Sequence, residues 1–318
     1  MLYKIDKKIL NLIDDNPRIS QSEMSKKLDI PQQTINYRIR KLKNENQIKK
    51  FAALINYMKL GYYEYHVFFR IENMPENETA VMEYFSKHKK MWWAAKIGSF
   101  YDIMVQLVVR NIEEIEDFLE ELNRMFPNVF GDHITLQVIR HELFNHPFLK
   151  TDKLVLKRKV SYELSKENID IDNLDFRLLG IIKDNCRMPV AEMSRALGCS
   201  CQTVKERIRK LEERKIVVGY RMFHNIRIKK AFLALIRYRN FSKEQERRLL
   251  SQVYQINDFT QYWKLFGEFN LLLHARCDDY EQFQDTFTKL RDKNRIISDY
   301  KLIPVFKDIV VNTFPCGV

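Results

Sequence analysis

At 318 residues the chain is long enough for two or more domains with their own cores, and its eight glycines and eight prolines are too few for long linker tracts. Fifty-four Lys and Arg against 42 Asp and Glu leave a net charge of +12, which favours an anionic partner, whether nucleic acid, a membrane surface or an acidic protein. No run of about 18 apolar residues supports a membrane-crossing helix, residues 1–8 lack a signal-peptide core, and five cysteines at spacings unlike a zinc site fit thiols in a reducing, cytoplasmic setting with no metal or cofactor.

Ile5, Ile9, Leu12 and Ile13 space a first helix with one apolar face, and Asp14-Asp15-Asn16-Pro17 ends it. Ser20-Gln21-Ser22-Glu23 has the form of a capping box and opens a second helix through Met24 and Leu28. Asp29 suits the left-handed turn that follows. Pro31 fits the first turn of a third helix, in which Ile35, Ile39 and Leu42 recur as a buried stripe. Gln32, Gln33, Asn36, Tyr37, Arg40 and Lys41 fall on its other faces. Amides pair bidentately with adenine, arginine with guanine and cations with phosphate, so this helix suits a DNA groove. Three short helices with a tight turn before the last read as helix-turn-helix. Ile48-Lys49-Lys50-Phe51 reads as a short strand, a basic wing over phosphates.

Beyond residue 51 the pattern changes. Residues 65–71 are strand-like, 78–88 helical, 91–97 and 103–109 strand-like about Gly98-Ser99-Phe100-Tyr101-Asp102, 112–126 strongly helical and 134–139 a closing strand. That order, β-α-β-β-α-β, is the ferredoxin-like arrangement. Residues 151–170 form a connector with a basic first half, Lys153, Lys157, Arg158 and Lys159. Trp92, Trp93 and Trp263 suit a core or a sheet-to-sheet interface better than a ligand site, and Glu113, Glu114, Glu116, Glu120 and Glu121 a solvated helix face.

The plan then repeats. At a fixed offset of 169, about 17 of roughly 46 positions from Asp6 to Phe51 are identical to Asp175 to Tyr220, without a gap, which marks an internal duplication. The second recognition helix contains Ser200, Gln202, Thr203, Lys205, Arg207, Arg209 and Lys210 in the places of Pro31, Gln33, Thr34, Asn36, Arg38, Arg40 and Lys41. Strands are expected at 232–238, 259–266, 271–275, 298–305 and 308–313, with helices at 243–254 and about 280–290. The fold class expected is α+β, two winged helix-turn-helix domains alternating with two ferredoxin-like βαββαβ regulation domains. The boundaries are 1–51, 52–150, a linker 151–170, 171–222 and 223–318.

On Asp6, Leu10, Ser25, Leu28, Thr34, Arg38-Ile39, Arg40-Lys41-Leu42, Ile48, Leu60-Gly61-Tyr62 and the turn Gly98 to Asp102, the chain resembles the Lrp/AsnC (feast/famine) family of transcription regulators. The resemblance covers nearly the whole chain, twice over. It implies double-stranded DNA as partner, no membrane, and a small effector such as an amino acid bound between regulation domains. By this resemblance the effector residues would be Gly98, Ser99, Tyr101 and Asp102, with Gly267 and Asn270. Two features depart from the family pattern. This chain is a tandem, an intrachain pseudo-dimer that leaves room for further homo-oligomerisation. The turn, close to Gly-x-x-Asp in the family, has one residue more in the first copy and Asn270 for Asp in the second.

The DNA-facing residues expected are Gln32, Gln33, Thr34, Asn36, Tyr37, Arg38, Arg40 and Lys41 in the first copy, with the second-copy set named above. Arg38 and Arg207 suit a phosphate contact or the bracing of their own helices, and Tyr37 either DNA or packing on the wing. Residues 1–51 carry twelve Lys and Arg against six Asp and Glu, residues 170–220 ten against eight, so the first copy is expected to bind the more tightly. The competing expectation comes from sirohaem decarboxylases, which resemble this family in fold and also occur as paired units. That resemblance implies a tetrapyrrole between regulation domains and catalysis by a histidine or arginine, with His66, His133, His141, His146 and His274 as candidates.

Overall fold

The computed structural model describes residues 3–72, 78–144, 159–164, 169–224 and 229–312. Lys153, Lys157 and Arg158 of the connector, His146 and Thr313 lie outside the described residues. The first copy comprises α1 (Lys4–Asp15), α2 (Gln21–Leu28), α3 (Gln32–Asn44), β1 (Ile48–Ile55), a 3-10 turn (Tyr57–Leu60), β2 (Tyr63–Ile71), α4 (Glu78–Lys87), β3 (Met91–Ile97), β4 (Ile103–Val109), α5 (Glu113–Met125) and β5 (Phe130–Phe144). A short strand, β6 (Lys159–Glu163), comes next. The second copy comprises α6 (Asn173–Ile182), α7 (Val190–Leu197), α8 (Cys201–Glu213), β7 (Val217–His224), β8 (Lys230–Tyr238), α9 (Lys243–Gln255), β9 (Phe259–Phe266), β10 (Leu271–Cys277), α10 (Tyr280–Asp292) and β11 (Ile297–Val311). The chain divides into two compact units, one holding both helix-turn-helix copies and the other both regulation copies.

In the helix-turn-helix unit, Ile9, Leu10, Ile13, Met24, Ile35, Ile39 and Leu42 form a core that also takes in Cys186 and Met222 of the second copy. The turn before each recognition helix is left-handed, with φ 54° at Asp29 and 68° at Gly198. Ser20 Oγ accepts the Glu23 amide at 3.1 Å, but the Glu23 carboxylate turns to Lys27 at 3.0 Å, so only half of the expected capping box forms. The expected four-residue wing is an eight-residue strand, and its partner is the other copy: β1 pairs antiparallel with β7. Ala52 sits opposite Arg221, its own counterpart at the offset of 169, so the ribbon is two-fold about that pair. The same symmetry governs a reciprocal clasp. Arg18 lies 5.0 Å over the ring of Tyr220, and Arg187 lies 5.0 Å over the ring of Phe51. The two clasps differ in charge. Tyr220 donates to Glu212, whereas Lys43, in the matching place, lies 5.1 Å over Phe51 on the same ring as Arg187. Burial, and then the Arg187 charge, pulls the Lys43 ammonium below its ordinary value.

In the regulation unit, each copy forms the antiparallel sheet expected of a ferredoxin-like fold, β5-β2-β4-β3 and β11-β8-β10-β9. The two join edge to edge through β3–β11 and β5–β9, so eight strands close into a ring and β6 adds to β5. Alternation along the strands sorts the two faces. Tyr65, Val67 and Phe69 join a core with Val81 and Phe85 of α4 and Ile115, Phe118 and Leu122 of α5. Glu64, His66 and Phe68, on the opposite face of β2, are also fully buried. The two strands expected at 298–305 and 308–313 are one, β11; bulges between Val305 and Lys307 and between Asp308 and Val310 absorb the irregularity where the strand pairs with β3.

Candidate nucleic-acid interface

Burial of Ile35, Ile39 and Leu42 against α1 and α2 fixes the rotation of α3 and so decides what it shows outward. Gln32, Gln33 and Arg40 are exposed, and Tyr37 is 63% exposed. Asn36 is half-buried and accepts from Gln21 Nε2 at 3.3 Å. Thr34 is half-buried, and Lys41 lies 3.7 Å from Glu45. Arg38 turns back, 3.7 Å from the buried Asp6 and 5.0 Å over the Tyr3 ring, which braces α3 on α1. The helix carries Arg38, Arg40, Lys41 and Lys43 and no carboxylate.

The second recognition helix has the same frame and a different surface. Ser200 Oγ caps α8 by accepting the Thr203 amide at 3.0 Å, and it lies 2.9 Å from Thr203 Oγ1, which ties both hydroxyls to the helix start. Arg207 repeats the role of Arg38, bridging Asp172 and, at 3.1 Å, Asp175; its hydrogen bonds to these carboxylates hold the guanidinium above its ordinary value. Lys205 and Lys210 are exposed. Gln202 Nε2 donates to Glu206 at 2.8 Å, and Arg209 donates to Glu213 at 2.6 Å. Glu206, Glu212 and Glu213 offset most of the positive charge of α8.

The glycine turns show how the two imperfect motifs are built. Asp102 Oδ2 accepts the Ile71 amide at the end of β2 at 2.8 Å, and Asn270 Oδ1 accepts the Tyr238 amide at the end of β8 at 2.7 Å. A carboxylate and an amide oxygen can both accept that amide, so Asn270 keeps the brace that Asp102 provides. Ser99 is exposed with φ 78°, and Tyr101 is buried beneath Lys301, whose ammonium lies 5.0 Å over its ring. A Cβ at Gly98 would lie 2.7 Å from the Phe306 ring, which is 69% exposed and free to swing. At Gly267, φ is 135° and a Cβ would lie 2.8 Å from the fully buried Leu136. Gly267→Ala is therefore expected to cost about 1–3 kcal/mol and Gly98→Ala less than half of that, read by urea unfolding of each variant.

The histidines gather differently from any catalytic pattern visible in the sequence. His66 Nε2 lies 2.7 Å from Glu64, whose other oxygen accepts from the Tyr57 hydroxyl, and all three residues are fully buried. His141 stacks between Trp263, with ring centroids 4.6 Å apart, and Tyr162, at 5.1 Å. His274 meets Thr260 at 2.6 Å, and His133 is exposed on β5. Sequence reasoning named His66 and missed Glu64 and Tyr57. The two signals open to it were Glu64 two residues before His66 and the closing of the sheet around that face. Among the described residues no group of three or more His, Cys, Asp or Glu is placed to hold a metal ion, and no helix is long and apolar enough to cross a membrane.

Residues 4–49 match the winged helix-turn-helix DNA-binding family, and residues 171–212 match the AsnC-type helix-turn-helix domain. An uncharacterised HTH-type transcriptional regulator of Pyrococcus abyssi is 36% identical over 120 residues, 38% of this chain and 75% of that protein. The HTH-type transcriptional regulator FL11 of Pyrococcus horikoshii is 29% identical over 141 residues, 44% of this chain and 92% of that protein. Among solved structures the siroheme decarboxylase NirDL superposes with a TM-score of 0.67 over 98% of this chain and 93% of its own, at 13% identity, a likeness of fold. Two helix-turn-helix copies at a fixed offset and a relative matched over three quarters of its length lead to one conclusion: the chain belongs to the Lrp/AsnC family of helix-turn-helix transcription regulators, as a tandem duplication of the family plan.

Proposed function

We propose that the chain is a sequence-specific transcription regulator that grips duplex DNA with α3 and α8 together, at a site whose two halves differ. The observation that carries this is the outward face of α3. Gln33, Tyr37 and Arg40 stand exposed on a helix without a carboxylate, held in place by a buried stripe beneath them. The modules are 1–51 and 171–222 for DNA and 52–150 and 223–318 for regulation, with 151–170 between. Gln32, Gln33, Tyr37, Arg40 and Lys41 are the leading contacts in the first copy, and Lys205 and Lys210 in the second, where Gln202 and Arg209, each bonded to a glutamate of its own helix, have a supporting part. Asn36 contributes through its remaining amide hydrogens. Thr34, Arg38, Ser200, Thr203 and Arg207 act chiefly by holding the helices in position. A small effector, such as an amino acid, would act at the turns about Gly98, Ser99, Tyr101 and Asp102 and about Gly267 and Asn270. Asp102 and Asn270 there serve as braces of the turn.

A second reading, an enzyme like the sirohaem decarboxylases, is favoured by the superposition on NirDL over nearly the whole chain. Against it stands the chemistry of the candidate histidines: His66 is tied to a buried carboxylate and His141 is stacked between two rings. A mobility-shift assay at two salt concentrations on the duplex upstream of the chain's own gene separates the readings. Salt-dependent, sequence-selective retardation supports the regulator. Absence of retardation, together with uptake of an iron tetrapyrrole and a Soret band, supports the enzyme.

A further inference from the structure

In the first halves of the two recognition helices, one matched position exchanges an aromatic ring for an acid. Tyr37 and Glu206 stand at the offset of 169, each one turn beyond a matched glutamine, Gln33 or Gln202, and each exposed. In the second copy the glutamine and the acid are joined, with Gln202 Nε2 donating to Glu206 Oε1 at 2.8 Å. That bond holds the carboxylate on the outward face, and among the described residues its second oxygen has no partner. Both residues lie in the first half of α8, the part of a recognition helix that meets base edges. A carboxylate there can accept from an exocyclic amino group, cytosine N4 or adenine N6; the N7 acceptor beside the adenine amino group repels a second carboxylate oxygen, so cytosine is the favoured partner. The carboxylate also opposes the approach of phosphates, so its presence weakens indiscriminate binding.

We propose that Glu206 is a base-selecting residue, accepting the N4 hydrogen of a cytosine in one half-site, while Tyr37 makes the other half-site tolerant at the matched base pair. This rests on the regulator reading above. On this account Gln202 is a positioning residue that aims the carboxylate. The first copy supplies affinity through an acid-free helix, and the second supplies discrimination through an acid placed among cations.

The test is a selection of random-sequence duplexes on the full-length protein, on Glu206→Gln and on Tyr37→Glu. Both substitutions are at exposed positions, and circular dichroism confirms that each variant is folded. The wild type should select a fixed cytosine in one half of its site. Glu206→Gln should lose that preference by roughly tenfold and shift it toward adenine, because a glutamine pairs with adenine. It should also bind random duplex several-fold more tightly at low salt. Tyr37→Glu should acquire a cytosine in the other half-site and bind random duplex more weakly. Selection of an unchanged site by Glu206→Gln, with the same cytosine and the same affinity, overturns the assignment and leaves the regulator reading standing. Failure of the wild type to retain any duplex overturns both.

Discussion

Replacing Glu64 by alanine is expected to cost the regulation unit about 3–5 kcal/mol. Glu64 is fully buried and holds both the His66 ring and the Tyr57 hydroxyl. Burial alone would raise its carboxyl, but the His66 hydrogen bond and charge, the His141 charge and the Tyr57 hydroxyl outweigh that and hold it below its ordinary value. Alanine leaves an imidazole and a phenol in the interior without their acceptor, whereas Glu64→Gln keeps an acceptor of the same shape and should lose less. The sign of the pH dependence follows from the lowered carboxyl. Its stabilisation is fully present above the unfolded value, near about 4.3, and fades as pH falls through the folded value. Glu64→Gln should lack that acid-side loss. Trp92, Trp93 and Trp263 all lie in the regulation unit, so fluorescence-monitored urea unfolding reports on it directly. An unchanged midpoint in Glu64→Ala would show that the buried cluster contributes nothing.

The second large effect concerns DNA. Arg40→Ala is expected to lower affinity by about tenfold at 0.1 M salt and to reduce the salt slope by about one, the signature of one lost phosphate contact. Arg40 is exposed on a helix free of acid. The matched Arg209 already donates to Glu213 at 2.6 Å. Removing Arg209 and Glu213 together takes away one charge of each sign and should leave affinity within about threefold of the wild type. Titrations of one labelled duplex at several salt concentrations compare the two variants. Equal losses would mean that the two copies contribute equally despite their different surfaces.

The contrast between the copies was legible in the sequence because it lies in residue identity at a fixed offset. So were the helices and most strands: β3, β4 and β9 fall on the ranges expected from the sequence. Long-range pairing was not. Phe51 to Ile55 is an apolar run whose partner lies in the other copy, and nothing local in it announces an antiparallel mate in β7. The same blindness hid the buried cluster. The strand expected at 65–71 leaves Glu64 outside it, and only the closing of eight strands into a ring puts Glu64 and His66 inside. At the DNA face, sequence reasoning named Arg38 and Arg207 with the DNA-facing set but left them open between a phosphate contact and the bracing of their helices, because a cation on a recognition helix looks the same whether it faces out or back. Asp6, and Asp172 with Asp175, decide that direction. The turn motifs were judged imperfect by spacing and identity. The hydrogen bonds from Ile71 and Tyr238 show that both versions do the same structural work.

Hydroxyl-radical footprinting of the full-length protein on its selected duplex tests the central claim most directly. The account predicts two protected groove segments of different sequence, about one helical turn or a multiple of it apart, with the segment assigned to α3 persisting to the higher salt. Two identical inverted half-sites that dissociate together, or a single protected segment, would contradict it.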